Sequence, residues 1–360
     1  MRPASAILLL VVSFCGQVLG ESSPTSGEAI YRLYCQPCHG ADRKGYAADN
    51  APSLVSRSFL ATADDAFFRT AIERGRSGTA MGAFGTRYGG PLGDAQVDEL
   101  IRYLRGKWKP IALANRPSIG NPVRGEQVFR EHCVSCHGTA GQRGSAVHLA
   151  NPMFLETASD TYLRVAIARG RSGTPMRSWR SELSRDQSED VIAYIRSLAR
   201  PVPPPPPKME AVSLEDLPIV IHPEGDQATF SLREDRYVSI ADVAKAFEEE
   251  RRLVIIDARP PSEYLRLHIA GAIPIPYFDM RELDKVPKDG TWVVAYCACP
   301  HHLSEIVLNE LRKRGYENTA VLDEGIYAWQ QQGHPTVAAP GQLPIPAPPA
   351  QRGEMFLPGG

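Results

Sequence analysis

The stretch Cys35-Gln36-Pro37-Cys38-His39 recurs as Cys133-Val134-Ser135-Cys136-His137, and a glycine follows each copy. In a Cys-x-x-Cys-His run, two thiols one helical turn apart can add across the two vinyl groups of a haem while the adjacent imidazole reaches its iron. A bare Cys-x-x-Cys also suits a dithiol redox pair or half of a zinc site. The histidine in both copies favours haem. Two covalently bound haem c groups are therefore expected, attached through Cys35 and Cys38 and through Cys133 and Cys136, with His39 and His137 as iron ligands.

The chain has 360 residues, more than one hydrophobic core normally supports, so two or three domains are expected. A formal net charge of -1 gives no field that points to nucleic acid or to an anionic membrane surface. Residues 1–20 carry Arg2, the apolar run Ile7 to Val12 with Phe14, and a small-residue end at Gly20, which reads as a cleaved export signal and a periplasmic or otherwise exported protein. No later stretch is long and apolar enough to span a bilayer. Of seven cysteines, Cys15 leaves with the signal, four lie in the paired motifs, and Cys297 and Cys299 remain.

The repeat extends beyond the pentapeptide. Gly27-Glu28-Ala29-Ile30-Tyr31 matches Gly125-Glu126-Gln127-Val128-Phe129 at the same distance before the cysteines, and Arg74-Gly75-Arg76-Ser77-Gly78-Thr79-Ala80-Met81 returns as Arg169-Gly170-Arg171-Ser172-Gly173-Thr174-Pro175-Met176. These two units, residues 21–112 and 113–200, resemble all-α class I c-type cytochromes. Such iron needs a sixth ligand for simple electron transfer, and a thioether raises its potential, so Met81 and Met176 are the expected distal ligands. The first unit has no other Met or His after His39, whereas His148 and Met153 compete in the second. Each unit closes with an amphipathic helix, around 97–104 and 189–195, which in the cytochromes it resembles crosses the first helix; Gly27, Tyr31 and Tyr103, and Gly125, Phe129 and Tyr194, suit that contact. The repeated Arg-Gly-Arg is either a solvated loop or a pair of guanidinium forks for haem propionates.

Residues 201–207, Pro-Val followed by five prolines, favour an extended spacer of about 20 Å at roughly 3 Å per residue. Residues 208–338 change character: apolar runs at 252–257 and 291–296 alternate with helical patterns at 240–250 and 303–314, as in an α/β domain with a central parallel sheet. The Pro- and Gly-rich residues 339–360 read as a disordered tail. Asp257-Ala258-Arg259, Glu263-Tyr264 and the run His268 to Pro276, with Gly315-Tyr316 and Val321 to Trp329, resemble the two signatures of rhodanese domains over a core of residues 236–337.

In that family a cysteine at the end of a central strand carries sulfane sulfur as a persulfide, and loop N–H groups with a helix N-terminus stabilise the anion. Cys297 occupies that place. The loop Cys297-Ala298-Cys299-Pro300-His301-His302 lacks the arginine that thiosulfate-active members usually carry. Cys299 reads as a sulfur-sharing or resolving thiol, or as buried filler. His301 and His302 read as a replacement charge, as exposed histidines, or with the cysteines as a soft metal site. Asp257, Arg259 and His268 are expected to be structural.

Two functions follow, beside a third in which the rhodanese-like part only delivers sulfur and never exchanges electrons with the haems. In the first, a sulfurtransferase or sulfur-compound oxidoreductase handles reduced sulfur from a sulfur donor on Cys297 while two haems remove electrons, and the linker lets the α/β domain approach either haem. In the second, the haems form a wire between redox partners such as other cytochromes or a terminal oxidase, and the rhodanese-like part is a degenerate docking or sensing module.

Overall fold

The computed structural model describes residues 23–45, 51–112, 114–202, 212–298 and 301–338, with the backbone of 350–351. The expected export signal, most of the proline linker, Cys299 and nearly all of the tail lie outside the described residues.

Among the described residues each helical unit has five α-helices in the same order. The first has α1 (Gly27–Tyr34), α2 (Gln36–His39), α3 (Arg57–Thr62), α4 (Asp65–Arg74) and α5 (Asp94–Arg105); the second has α6 (Pro122–His132), α7 (Val134–His137), α8 (Pro152–Thr157), α9 (Asp160–Arg169) and α10 (Arg185–Ser197). The starts are set locally by short oxygen side chains that satisfy otherwise unpaired N–H groups. Asp64 accepts from the Phe67 N–H at 2.8 Å, Ser159 from that of Tyr162 at 3.0 Å, and Ser184 forms a reciprocal box with Gln187.

First and last helices cross at glycine in both units. A Cβ on Gly27 would lie 2.2 Å from the Glu99 carbonyl oxygen, and one on Gly125 would lie 1.9 Å from that of Asp190. Tyr31 then meets Tyr103 with ring centroids 5.6 Å apart, and Phe129 meets Tyr194 at 5.1 Å. The expected helix crossing is present twice. Arg105 and Arg196 repeat a further device: Arg105 donates to the carbonyls of Leu60 and Ala63 and pairs with Asp65, while Arg196 donates to those of Leu155 and Ala158 and pairs with Asp160. Each guanidinium thereby satisfies carbonyls at the end of a short helix.

The C-terminal unit has a five-stranded parallel sheet of β1 (Tyr237–Val238), β2 (Leu253–Asp257), β3 (Ile273–Pro274), β4 (Trp292–Tyr296) and β5 (Thr319–Leu322), in the order β1-β5-β4-β2-β3. β2 and β4 are in register from Leu253 opposite Trp292 to Asp257 opposite Tyr296. Apolar clusters cover both faces of the sheet, which is why β2 and β4 read as continuous runs rather than as alternation. Helices α11 (Ile240–Glu248), α12 (Pro261–Arg266), α13 (His302–Lys313) and α14 (Gly325–Gln331) flank it. Among the described residues no helix is long and apolar enough to cross a membrane.

Candidate functional site

In both paired motifs the chain breaks at the first cysteine and resumes as one helical turn. Cys35 N–H donates to the Tyr31 carbonyl at 2.9 Å and Cys133 N–H to that of Phe129 at 2.8 Å; the His39 and His137 N–H groups then return to the carbonyls of Cys35 and Cys133 at 2.9 and 3.0 Å. This turn sets the two thiols and the imidazole on one short element. The next residue has positive φ, 78° at Gly40 and 73° at Gly138, a conformation that costs glycine little.

His39 Nδ1 lies 3.1 Å from the Pro52 carbonyl oxygen, and His137 Nδ1 lies 2.7 Å from that of Val147. A carbonyl only accepts, so each Nδ1 carries the proton and each Nε2 keeps its lone pair for a metal. Burial holds the His137 imidazole below its ordinary pKa, in the neutral form a metal needs. Burial also pushes the Cys35 thiol up to about 12 and the Cys133 thiol up to about 11. Those groups stand as S–H, the form that adds across a vinyl bond.

The methionine loops are equally duplicated. Arg76 N–H donates to the Met81 carbonyl at 2.7 Å, and Arg171 N–H to the Met176 carbonyl at 2.7 Å. Inside each loop a threonine hydroxyl donates to the arginine carbonyl at 2.7 Å and accepts from the methionine N–H, at 3.1 Å for Thr79 and 3.2 Å for Thr174. Gly75, at φ 68°, closes the first loop, and a Cβ there would lie 2.5 Å from the Met81 carbonyl oxygen. Two separate segments have been folded into the same clasp.

The third element is the loop after β4. Cys297 is 1% exposed, its carbonyl accepts from the Ile326 N–H at 3.0 Å, and Ser304 Oγ lies 3.4 Å from its Sγ. The loop feeds the N-terminus of α13. His301 Nε2 lies 2.7 Å from Asp323 Oδ1, and its ring packs on Tyr237 at 4.2 Å, so it ties the loop base to the end of β5. Burial opposes charge on Asp323, yet hydrogen bonds from Arg233 and His301 hold its carboxyl below the usual range. The Asp257–Arg259 pair is buried at 2.6 Å, and His268 Nδ1 reaches the Tyr264 carbonyl at 2.7 Å. These are the ion pair and loop-holding imidazole that the sequence suggested.

Residues 22–104 and 120–195 match the family described as cytochrome c oxidase, cbb3-type, subunit III, and residues 239–332 match the rhodanese-like domain. The chain joins tandem cytochrome c domains to a rhodanese-like domain. Its relatives include the Cbb3-type cytochrome c oxidase subunit FixP of Bradyrhizobium diazoefficiens, 28% identical over 48% of this chain and 60% of that protein. They also include a cytochrome bc1 complex cytochrome c subunit of Mycobacterium tuberculosis, 26% identical over 53% of this chain and 74% of that protein. A rhodanese-like domain from Anabaena sp., solved by NMR, is 28% identical over 28% of this chain and 78% of that one, with a TM-score of 0.27. The aligned stretch thus spans less than two thirds of the FixP relative.

Cytochrome c domains are electron-transfer domains and imply covalently bound haem c. The residues present fit that group: Cys35, Cys38, Cys133 and Cys136 are free thiols, both imidazoles are oriented through Nδ1, and Arg171 Nη2 is buried without a hydrogen-bond partner among the described residues.

The two cytochrome domains share one apolar core, with Phe67 stacked on Tyr162 at 5.2 Å where they meet. Here the Arg-Gly-Arg repeat finds a use that sequence reasoning missed. Arg76 of the first domain lies over Phe67 and donates to the Met153 carbonyl of the second at 2.8 Å. Arg171 of the second lies over Tyr162 and reaches Ser58 and Thr62 of the first. Each domain lends an arginine to the other. Burial pushes the Arg76 guanidinium down to about 10, still charged at neutral pH.

Proposed function

We propose that this is an exported dihaem c-type cytochrome whose electron transfer is coupled to the oxidation of reduced sulfur held on Cys297. Cys35 and Cys38 attach one haem and Cys133 and Cys136 the other; His39 with Met81, and His137 with Met176, are the axial ligands. Bound haem c supplies one-electron acceptance and release at each position. The observation that carries the sulfur half is the placement of Cys297, at the carboxyl end of a central parallel strand and feeding the N-terminus of α13, where backbone N–H groups stabilise an anion.

The chemistry balances with two one-electron positions. A hydrosulfide joins the Cys297 thiolate as HS⁻ + Cys297–S⁻ → Cys297–S–S⁻ + H⁺ + 2e⁻, one electron for each haem. An S–S bond forms, the S–H proton leaves to solvent, and sulfur is the element oxidised. Cys299 is placed two residues away in sequence to share or resolve that sulfur. The relatives named as subunits of oxidase and bc1 complexes favour a respiratory redox protein as the electron acceptor, consistent with the export signal.

Mass spectrometry of the purified protein after exposure to sulfide or a persulfide donor tests the reading. One added sulfur on Cys297, absent in Cys297→Ser, is expected. If no donor leaves sulfur on Cys297 or Cys299, the rhodanese-like domain is a docking module and the haems serve as a wire.

A further inference from the structure

The rhodanese-like domain does not stand away from the cytochromes. Tyr277 Oη donates to the Tyr34 carbonyl at 2.5 Å, next to Cys35, and Phe278 meets the Tyr34 ring edge-on at 4.8 Å. Ser262 Oγ donates to the Ala83 carbonyl at 2.5 Å, and Tyr327 Oη to that of Thr79 at 3.1 Å. Cys38 and Ala80 pack against the cluster that contains Cys297, Tyr277 and Leu303. Both the attachment turn and the methionine loop of the first domain therefore lie against the rhodanese-like domain.

A sequence difference between the two duplicated loops marks the same boundary. The first reads Ala80-Met81-Gly82-Ala83, and the second reads Pro175-Met176-Arg177-Ser178. Ala83 is fully buried, and a Cβ on Gly82 would come 2.9 Å from Glu263 Cγ and 3.4 Å from Pro260. The second loop has no such constraint: Pro175, Arg177 and Ser178 are exposed, and Arg177 pairs with Glu182 at 2.7 Å while lying over the Trp179 ring. An arginine at position 82 would have nowhere to go.

We propose that the duplicated cytochrome domains have been made inequivalent: the rhodanese-like domain is a fixed cover on the methionine-loop face of the first, and only the second presents that face to other proteins. The small side chains of Ala80, Gly82 and Ala83 are the seat of the cover. The order of electron flow that follows, from Cys297 into the first domain and out through the second, rests on the sulfur reading above; the cover does not.

Hydroxyl-radical footprinting and small-angle scattering of the full-length two-haem protein test it, with Phe278 as the interface probe and Trp179 as the open-face standard. Phe278 is expected to label slowly relative to Trp179 in a compact particle. Gly82→Arg, which copies the second loop, is expected to raise Phe278 labelling several-fold and to increase the radius of gyration. The paired variant Ser262→Ala with Tyr277→Phe acts from the other side without a wedge and is expected to do the same more weakly. Arg177→Gly uncovers the Trp179 ring and raises its labelling, but it is expected to leave the labelling rate of Phe278 itself and the radius of gyration unchanged, and intact haem absorption checks that the domains remain folded. Equal labelling of Phe278 and Trp179 in the unaltered protein, no response in either interface variant, or the same response to Arg177→Gly would overturn the proposal. Absence of a sulfur adduct on Cys297 refutes the sulfur reading and leaves these outcomes unchanged.

Discussion

At the scale of single residues, the site is a set of side chains whose protonation and direction are fixed by backbone carbonyls. His39 and His137 each spend Nδ1 on a carbonyl, which leaves Nε2 as the only nitrogen with a lone pair to offer. The proposed distal positions are set differently, by loops that hold Met81 and Met176 through the same threonine clasp. Replacing Met176 by histidine exchanges a thioether for a stronger donor at one of the two positions. Its haem potential is expected to fall by on the order of 0.2 V, within the ~0.8 V span that axial ligands command, while the other potential stays in place. Spectroelectrochemical titration of Met176→His against the unaltered protein reads both values. Unchanged potentials would place the second distal ligand elsewhere, with His148 and Met153 as the candidates.

At the scale of elements, the helix crossings and the last helix of the second cytochrome domain carry most of the testable energetics. Gly125→Ala drives a Cβ into the Asp190 carbonyl and the Tyr194 side chain, so α6 and α10 must separate. A loss of about 3 kcal/mol or more is expected, as for other overpacked contacts, read as a lower thermal midpoint of the second domain. On α10, hydrogen bonds from Arg164 hold the Glu189 carboxyl below its ordinary pKa, and hydrogen bonds from Arg124 do the same for Asp190. Because both folded-state values lie below the unfolded ones, this stability is present above about pH 4 and is lost as pH falls through the folded values. Acid unfolding followed by circular dichroism should therefore be less steep below pH 4 for Glu189→Gln than for the unaltered protein. The crossings were legible in the sequence because a glycine and an aromatic recur four residues apart before each motif. The clasps made by Arg105 and Arg196 were not, since a basic residue near a helix end is ordinary and its carbonyl partners lie some 40 residues away in the chain.

At the scale of the whole molecule, duplication and fusion were visible in the sequence, but the arrangement was not. The α/β character and the place of Cys297 could be read from runs of β-branched residues and two signatures, because those are local. That Arg76 and Arg171 would exchange between the cytochrome domains depends on a Phe67–Tyr162 stack that no periodicity reveals. The expectation that a proline tether lets the third domain approach either haem gives way to a structure in which it is seated on the first, through Tyr277, Phe278, Ser262 and Tyr327. Its trace in the sequence is Ala80, Gly82 and Ala83 where the repeat has Pro175, Arg177 and Ser178, which is easily taken for drift between copies. The seat also places Cys38 and Cys297 on one apolar cluster, so the Cys297 loop and the first Cys-x-x-Cys-His turn are neighbours in space. Use of this neighbourhood for electron transfer is read most directly in the absorption spectrum of the oxidised, haem-loaded protein during titration with sulfide or a persulfide donor. Reduction of both haems is expected, slowed at least about tenfold in Cys297→Ser, the factor that ~1.4 kcal/mol of lost barrier lowering gives. Haem reduction at the same rate in Cys297→Ser, or no reduction by any sulfur donor, would contradict it.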